Sequence, residues 1–194
     1  MMGEDFDNPW KRTAKNGSFI KMSQILNSGV FPGMQGEPLQ HIIAAKAIAF
    51  GEALETSFKD YAKKVVDNAQ AMAGAFIDRG YKIISDGTDN HLMLLDLSVR
   101  GITGKFADEV LGRASITVNK NMIPFDKQSP MVTSGIRIGT AAVTSRGFEI
   151  QDVLKVVDWI DNILLHPDNN TIINIKEDVK LYMGKFPLYP SIKK

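Results

Sequence analysis

The tightest arrangement of chemistry-bearing residues in this chain is Gly135-Ile136-Arg137-Ile138-Gly139. On a strand, alternate side chains face opposite ways. Ile136 and Ile138 would then point into a core, and Arg137 would share the other face with Gly135 and Gly139. Glycine on both sides clears space around a guanidinium, whose planar fork pairs bidentately with a carboxylate. The same pattern also suits a surface arginine in a salt bridge, or one whose stem packs over the sheet. A second arrangement, Val30-Phe31-Pro32-Gly33-Met34-Gln35-Gly36-Glu37-Pro38-Leu39, runs a glycine-bearing loop into a helix start. Free N–H groups and the helix dipole favour an anion such as phosphate there. A tight turn before a helix is the plainer reading, and Glu37 favours it, because an acidic residue stabilises a helix start by itself. A third, Asn119-Lys120-Asn121-Met122-Ile123-Pro124-Phe125-Asp126, leaves a strand as a polar loop. Its asparagines could read the hydrogen-bonding edge of a flat heterocycle, or serve only a structured loop. His91 reads as a satisfied structural histidine, and His41 as a residue able to face a partner.

Other chemistries are excluded by composition. There are no cysteines, so disulfides, thiolate catalysis and cysteine-based zinc sites are out. The histidines, His41, His91 and His166, have no metal-ligand spacing, and no metal is expected. Lys+Arg is 23 against Asp+Glu 22, a balance that suggests neither a nucleic-acid nor a membrane partner. No apolar run approaches the ~20 residues of a membrane span. The opening residues lack a signal peptide's apolar stretch, so a cytoplasmic location is expected. Asn16-Gly17-Ser18 and Asn169-Asn170-Thr171 match the glycosylation pattern and are read as chance.

The elements that must position these residues follow from periodicity and breakers. Residues 1–38 are rich in Pro and Gly and read as an irregular segment lying on something else. A largely buried helix should begin near Pro38, at the first helical position. A second should run from Ser57 to Arg79, with Phe58, Tyr61, Val65, Ala69, Met72, Ala73 and Phe76 at three- and four-residue steps, stopped by Gly80. Tyr81–Ser85, His91–Leu97, Ile116–Asn119 and Gly135–Thr140 read as strands. Thr103–Ala114 reads as a helix capped by Thr103, and Glu149–Leu165 and Thr171–Met183 as closing helices. The order suits an α+β sandwich with helices on one sheet.

Taken in order, several long motifs resemble serine hydroxymethyltransferase. They are Phe31-Pro32-Gly33-Met34-Gln35-Gly36, Pro38-Leu39-Gln40-His41, Ala44-Ala45-Lys46-Ala47, Arg79-Gly80-Tyr81, Gly87-Thr88-Asp89-Asn90-His91-Leu92, Ile116-Thr117-Val118-Asn119-Lys120-Asn121 and Thr133-Ser134-Gly135-Ile136-Arg137-Ile138-Gly139-Thr140. The opening, from Met2 to Trp10, resembles bacterial members just after their cofactor-lysine segment. The resemblance implies an α/β fold: the α+β C-terminal small domain of a fold-type I pyridoxal-phosphate transferase (54–194), preceded by the end of the large domain (1–53). It implies interconversion of serine plus tetrahydrofolate with glycine plus 5,10-methylenetetrahydrofolate, with pyridoxal 5'-phosphate as cofactor, in an oligomer.

By the same resemblance, Arg137 would hold the carboxylate of the amino-acid substrate. Gly36 and Glu37 would belong to the loop reaching the cofactor phosphate of a neighbouring subunit. Asn121 would face the folate, and Phe31 would lie near it. The family's Schiff-base lysine, in a Thr-Thr-Thr-His-Lys-like stretch, is not among these residues, so no catalytic residue is assigned. The chain is expected to be inactive without an N-terminal half, or else to be a non-catalytic remnant that binds subunits of the full enzyme. Glu37 stands where the family usually has glycine. Its carboxylate, roughly 6 Å from a doubly charged phosphate, would oppose binding by about 1–5 kcal/mol.

Overall fold

A computed structural model describes residues 4–188. The chain divides into two compact units, Met1–Glu55 and Thr56–Lys194.

The first unit holds two helices, α1 (Met22–Val30) and α2 (Gln40–Ala53). The segment before α1 is organised by Asn8, whose side chain is 3% exposed. Its amide donates to the carbonyls of Arg12 and Ile20 at 2.9 and 2.6 Å, and its oxygen accepts from Arg12 N–H at 2.8 Å. Asp5 secures the start of α1, accepting from Ser23 N–H at 3.1 Å and from Ser23 Oγ–H at 2.6 Å. The Ser23 hydroxyl, and after it the Ser23 N–H, hold the Asp5 carboxyl below the usual carboxylate range. The expectation of an irregular start therefore missed α1. Its Met22, Ile25, Leu26 and Val30 do recur at helical steps, but the Gly and Pro residues around them read as breakers.

Two expectations for α2 need correction. It starts at Gln40 rather than Pro38, because Leu39 is still extended (φ −75°, ψ 94°). It is also exposed along its whole length within the described residues, not largely buried. Leu39, Ile42, Ile43, Ile48, Phe50 and Leu54 are all open to solvent. A helix apolar on every side belongs to an interior, and nothing in this unit supplies one.

The second unit builds its core on α3 (Thr56–Asp78), which buries Val65, Ala69, Met72, Ala73 and Phe76. Its end is a Schellman turn. Gly80 (φ 76°) donates to Ile77 O at 2.8 Å, and Tyr81 N–H reaches back to Phe76 O at 3.0 Å. The Phe76 and Tyr81 rings meet edge to face at 5.3 Å, closing the turn with apolar contact. The chain continues as β1 (Lys82–Ile83), β2 (Leu92–Asp96), α4 (Gly104–Arg113), β3 (Asn119–Asn121), β4 (Gly135–Gly139), α5 (Ala141–Ser145), α6 (Ile150–Leu165) and α7 (Asn169–Met183). The four strands form one antiparallel sheet in the order β1-β2-β4-β3. This is the α/β class that the resemblance implied, with the α+β arrangement in the second unit that the element order suggested.

The core lies on the sheet face carrying Met93, Leu95, Ile136 and Ile138, against α3, α4, α6 and α7. Residues opposite Arg137 on the neighbouring strands are Leu94 and Asn119, so these share its face, away from that core.

Strand boundaries moved for local reasons. β1 stops at Ile83 because Ser85 and Asp86 take left-handed backbone (φ 68° and 53°). β3 begins at Asn119 rather than Ile116 because Ser115 (φ 64°) turns the chain and Ile116 N–H still bonds back to Leu111 O at 3.0 Å. α7 starts two residues before Thr171, because Asp168 caps it by accepting from Asn170 and Thr171 N–H at 3.0 and 3.1 Å.

Candidate substrate-carboxylate site

The alternation read for β4 holds: Ile136 and Ile138 are buried, while Arg137 and Gly139 are exposed. Strand pairing places β4 between β2 and β3, so the backbone under Arg137 is fixed on both sides. The guanidinium has no hydrogen-bond or salt-bridge partner among the described residues. It opens into a shallow cleft of about 490 Å³ lined with His91, Leu92, Val118, Asn119 and Gly139. An exposed cation with unengaged donors at the edge of a partly apolar cleft is suited to a carboxylate carried on a small organic body.

The two glycines beside Arg137 do different things. A Cβ on Gly139 would find only Leu92 Cβ and His91 O at 3.9 and 3.5 Å, so this glycine keeps the cleft open without being required by packing. A Cβ on Gly135 would stand 2.7 Å from Leu95 O and 2.8 Å from Ile123 Cγ2. Gly135 is buried under the loop after β3 rather than clearing room for the guanidinium, which corrects half of the sequence reading.

That loop brings Asn121 to the same face. Asn121 pairs with Gly135, two residues from Arg137, and its amide donates to Met122 O at 2.8 Å. Asp126 anchors the loop to the start of β4. Its carboxylate accepts from Ser134 Oγ–H at 2.6 Å, Ser134 N–H at 2.8 Å, Gln128 N–H at 2.9 Å and Ile123 N–H at 3.2 Å. Partial burial pushes the Asp126 carboxyl up. The Ser134 hydroxyl and the three N–H donors outweigh it and hold the group down at about 2.

A folded value below the unfolded one means this contribution is complete above about pH 4 and is lost as pH falls through about 2. The loop is thus expected to loosen between pH 4 and 2, read as loss of protection at the Ile123 and Ser134 amides. Asp126→Ala should bring the same loosening to neutral pH at a cost of about 2 kcal/mol. Amide protection unchanged by that variant would contradict the assignment.

Phe31, Gly36 and Glu37 lie together in the first unit. Gly33 packs tightly on the end of α1, where a Cβ would meet Gly29 O at 2.5 Å, and Gln35 N–H donates to Val30 O at 2.7 Å. Past that knot, Gly36 has open space around it, Glu37 is exposed, and Phe31 is 64% exposed. Gly36 and Glu37 N–H have no backbone partner among the described residues.

Sequence reasoning undervalued Asn119 and His91. Both are exposed in the Arg137 cleft. Only strand register brings them to Arg137, and register is not visible in a single sequence. No lysine lines the cleft among the described residues, and none of the described lysines is buried. The cleft offers an exposed guanidinium beside the polar side chains of His91 and Asn119. On its own it does not fit a pyridoxal phosphate held through a lysine.

The family model described as serine hydroxymethyltransferase matches residues 9–160. That span takes in the glycine loop, Asn119, Asn121, Asp126 and the whole of β4 with Arg137. The chain belongs to the serine hydroxymethyltransferase family.

Proposed function

We propose that this chain supplies the substrate-carboxylate clamp and the folate-facing loop of a serine hydroxymethyltransferase, and that the lysine for the cofactor comes from an N-terminal portion. The assembled enzyme interconverts serine plus tetrahydrofolate with glycine plus 5,10-methylenetetrahydrofolate. The observation carrying this reading is Arg137: exposed, without an acidic partner among the described residues, and fixed between two strands at the edge of a cleft.

On this reading Arg137 grips the carboxylate of serine or glycine and orients the rest of the molecule. The Asn121 loop, tied down by Asp126, presents hydrogen-bonding groups to the pteridine ring. Phe31 lies near the folate, and Gly36 and Glu37 belong to the loop near the cofactor phosphate of a neighbouring subunit. Residues 1–53 act as the end of the large domain and 54–194 as the small domain of a cytoplasmic oligomer. Pyridoxal phosphate, when bound by the complete enzyme, supplies the electron sink for the carbon–carbon bond change.

Mixing the chain with a matching N-terminal half, pyridoxal phosphate, serine and tetrahydrofolate is expected to give glycine formation that neither part supports alone. A well-folded mixture without that activity would reject the proposal. A second reading, a non-catalytic module that binds subunits of the full enzyme, is favoured by the exposed apolar α2 and by Glu37. It requires the chain to co-purify with full-length enzyme and change its rate.

A further inference from the structure

Asn119 stands directly opposite Arg137 in the β3–β4 register. Opposed residues of an antiparallel pair have Cβ atoms about 4.5–5.5 Å apart on one face. Asn119 is exposed, lines the same cleft as Arg137, and makes no side-chain hydrogen bond to the described residues. Two neighbouring polar side chains are thus unengaged at the edge of one cleft. Asn121, by contrast, is on the same strand but spends its amide on Met122 O, and Lys120 donates to Met131 O at 3.1 Å.

We infer that Asn119 is a second substrate contact: its amide N–H donates to the carboxylate that Arg137 binds. This rests on the reading of Arg137 as the clamp, and adds to it a residue that fixes how the carboxylate sits. A carboxylate has two oxygens and about four lone-pair directions. A guanidinium fork fills the outward pair and leaves lone pairs directed to the side. Asn119 is the neighbour on β3 from which a neutral donor can reach one of them. The donor must be neutral or positive. An aspartate there would be almost the same size, would repel the ligand, and would occupy Arg137 itself.

The chain carries both residues, so the test uses it whole. Isotope-labelled chain is titrated with glycine, following the side-chain resonances of Arg137 and Asn119. Saturable shifts of both are expected in the parent protein, and no saturable response is expected in Arg137→Ala. Asn119→Ala should weaken the apparent Kd by about three- to ten-fold. Asn119→Asp, equal in shape, should abolish binding with an unchanged fold, which a merely structural role would not produce. If the parent and Arg137→Ala respond alike, the clamp reading falls and the Asn119 contact with it. If Arg137→Ala loses binding but Asn119→Ala and Asn119→Asp bind as the parent does, the Asn119 contact alone is overturned.

Discussion

Replacing Phe76 by alanine is expected to cost the second unit about 3–5 kcal/mol. Calorimetry should show melting roughly 10 °C or more below the parent. Phe76 is fully buried and does two jobs. It is the last large core residue of α3, and it is the position to which the Schellman turn closes through Tyr81 N–H. Its loss opens a cavity and removes the ring against which Tyr81 packs. Tyr81 is fastened by more than that contact. Its hydroxyl donates to Asp161 at 2.8 Å, and the Arg100 guanidinium lies 3.9 Å from its ring centre. Burial and the Asp161 carboxylate push the Tyr81 hydroxyl well above the ordinary phenol range, so it remains a donor at any working pH. Tyr81→Phe keeps the packing and should cost only about 1 kcal/mol. A Phe76→Ala protein that melts within two or three degrees of the parent would mean that the turn is held by its backbone and not by the core.

The second unit was legible because its elements obey strong local rules. The apolar steps of α3 set its buried face. Gly80 marked its end, and Thr103 capped α4, accepting from Phe106 N–H at 3.2 Å. Where the reading slipped, the cause is a backbone state that side-chain pattern does not announce. Ser85, Asp86 and Ser115 are not glycine, yet all three sit at positive φ, and each moved a strand boundary. α1 escaped for another reason: its apolar face of Met22, Ile25, Leu26 and Val30 is short and set among Gly17, Gly29 and Pro32, and the breakers outweighed the period. For α2, apolar composition was read as burial, whereas the surface that would cover it is not supplied by its own unit.

At the site, the orientation of Arg137 was readable from alternation alone, because a two-residue period needs no knowledge of neighbouring strands. What lies beside it was not. Asn119 is eighteen positions away in sequence and adjacent across the sheet. The reason for Gly135 also lies outside its strand, in the loop that Asp126 folds over it. A pattern of glycine, arginine and glycine invites one explanation for both glycines, and the structure requires two.

That asymmetry leads to a second large effect, at a glycine that drew no attention in the sequence. Gly104 opens α4 where the helix docks against the segment entering β4. Its N–H donates to Thr133 O at 3.0 Å, and Lys105 N–H donates to Val132 O at 2.9 Å. A Cβ there would lie 2.1 Å from Thr133 Oγ1 and 2.3 Å from Gly135 O. The hydroxyl can rotate away, but the carbonyl belongs to the backbone that carries Arg137 two residues later. Alanine is ordinarily the better helix former by about 1 kcal/mol, so propensity predicts stabilisation. Overpacking against a paired strand costs about 1–3 kcal/mol and more when backbone must move. The clash should win. Gly104→Ala is expected to melt well below the parent and to weaken the glycine response of Arg137, because α4 can be accommodated only by shifting β4. Gly139→Ala, whose added methyl meets only ordinary contacts, should melt with the parent. Equal melting of all three proteins would show that α4 and β4 do not approach this closely, leaving the pairing with β2 and β3 as what holds the Arg137 strand in place.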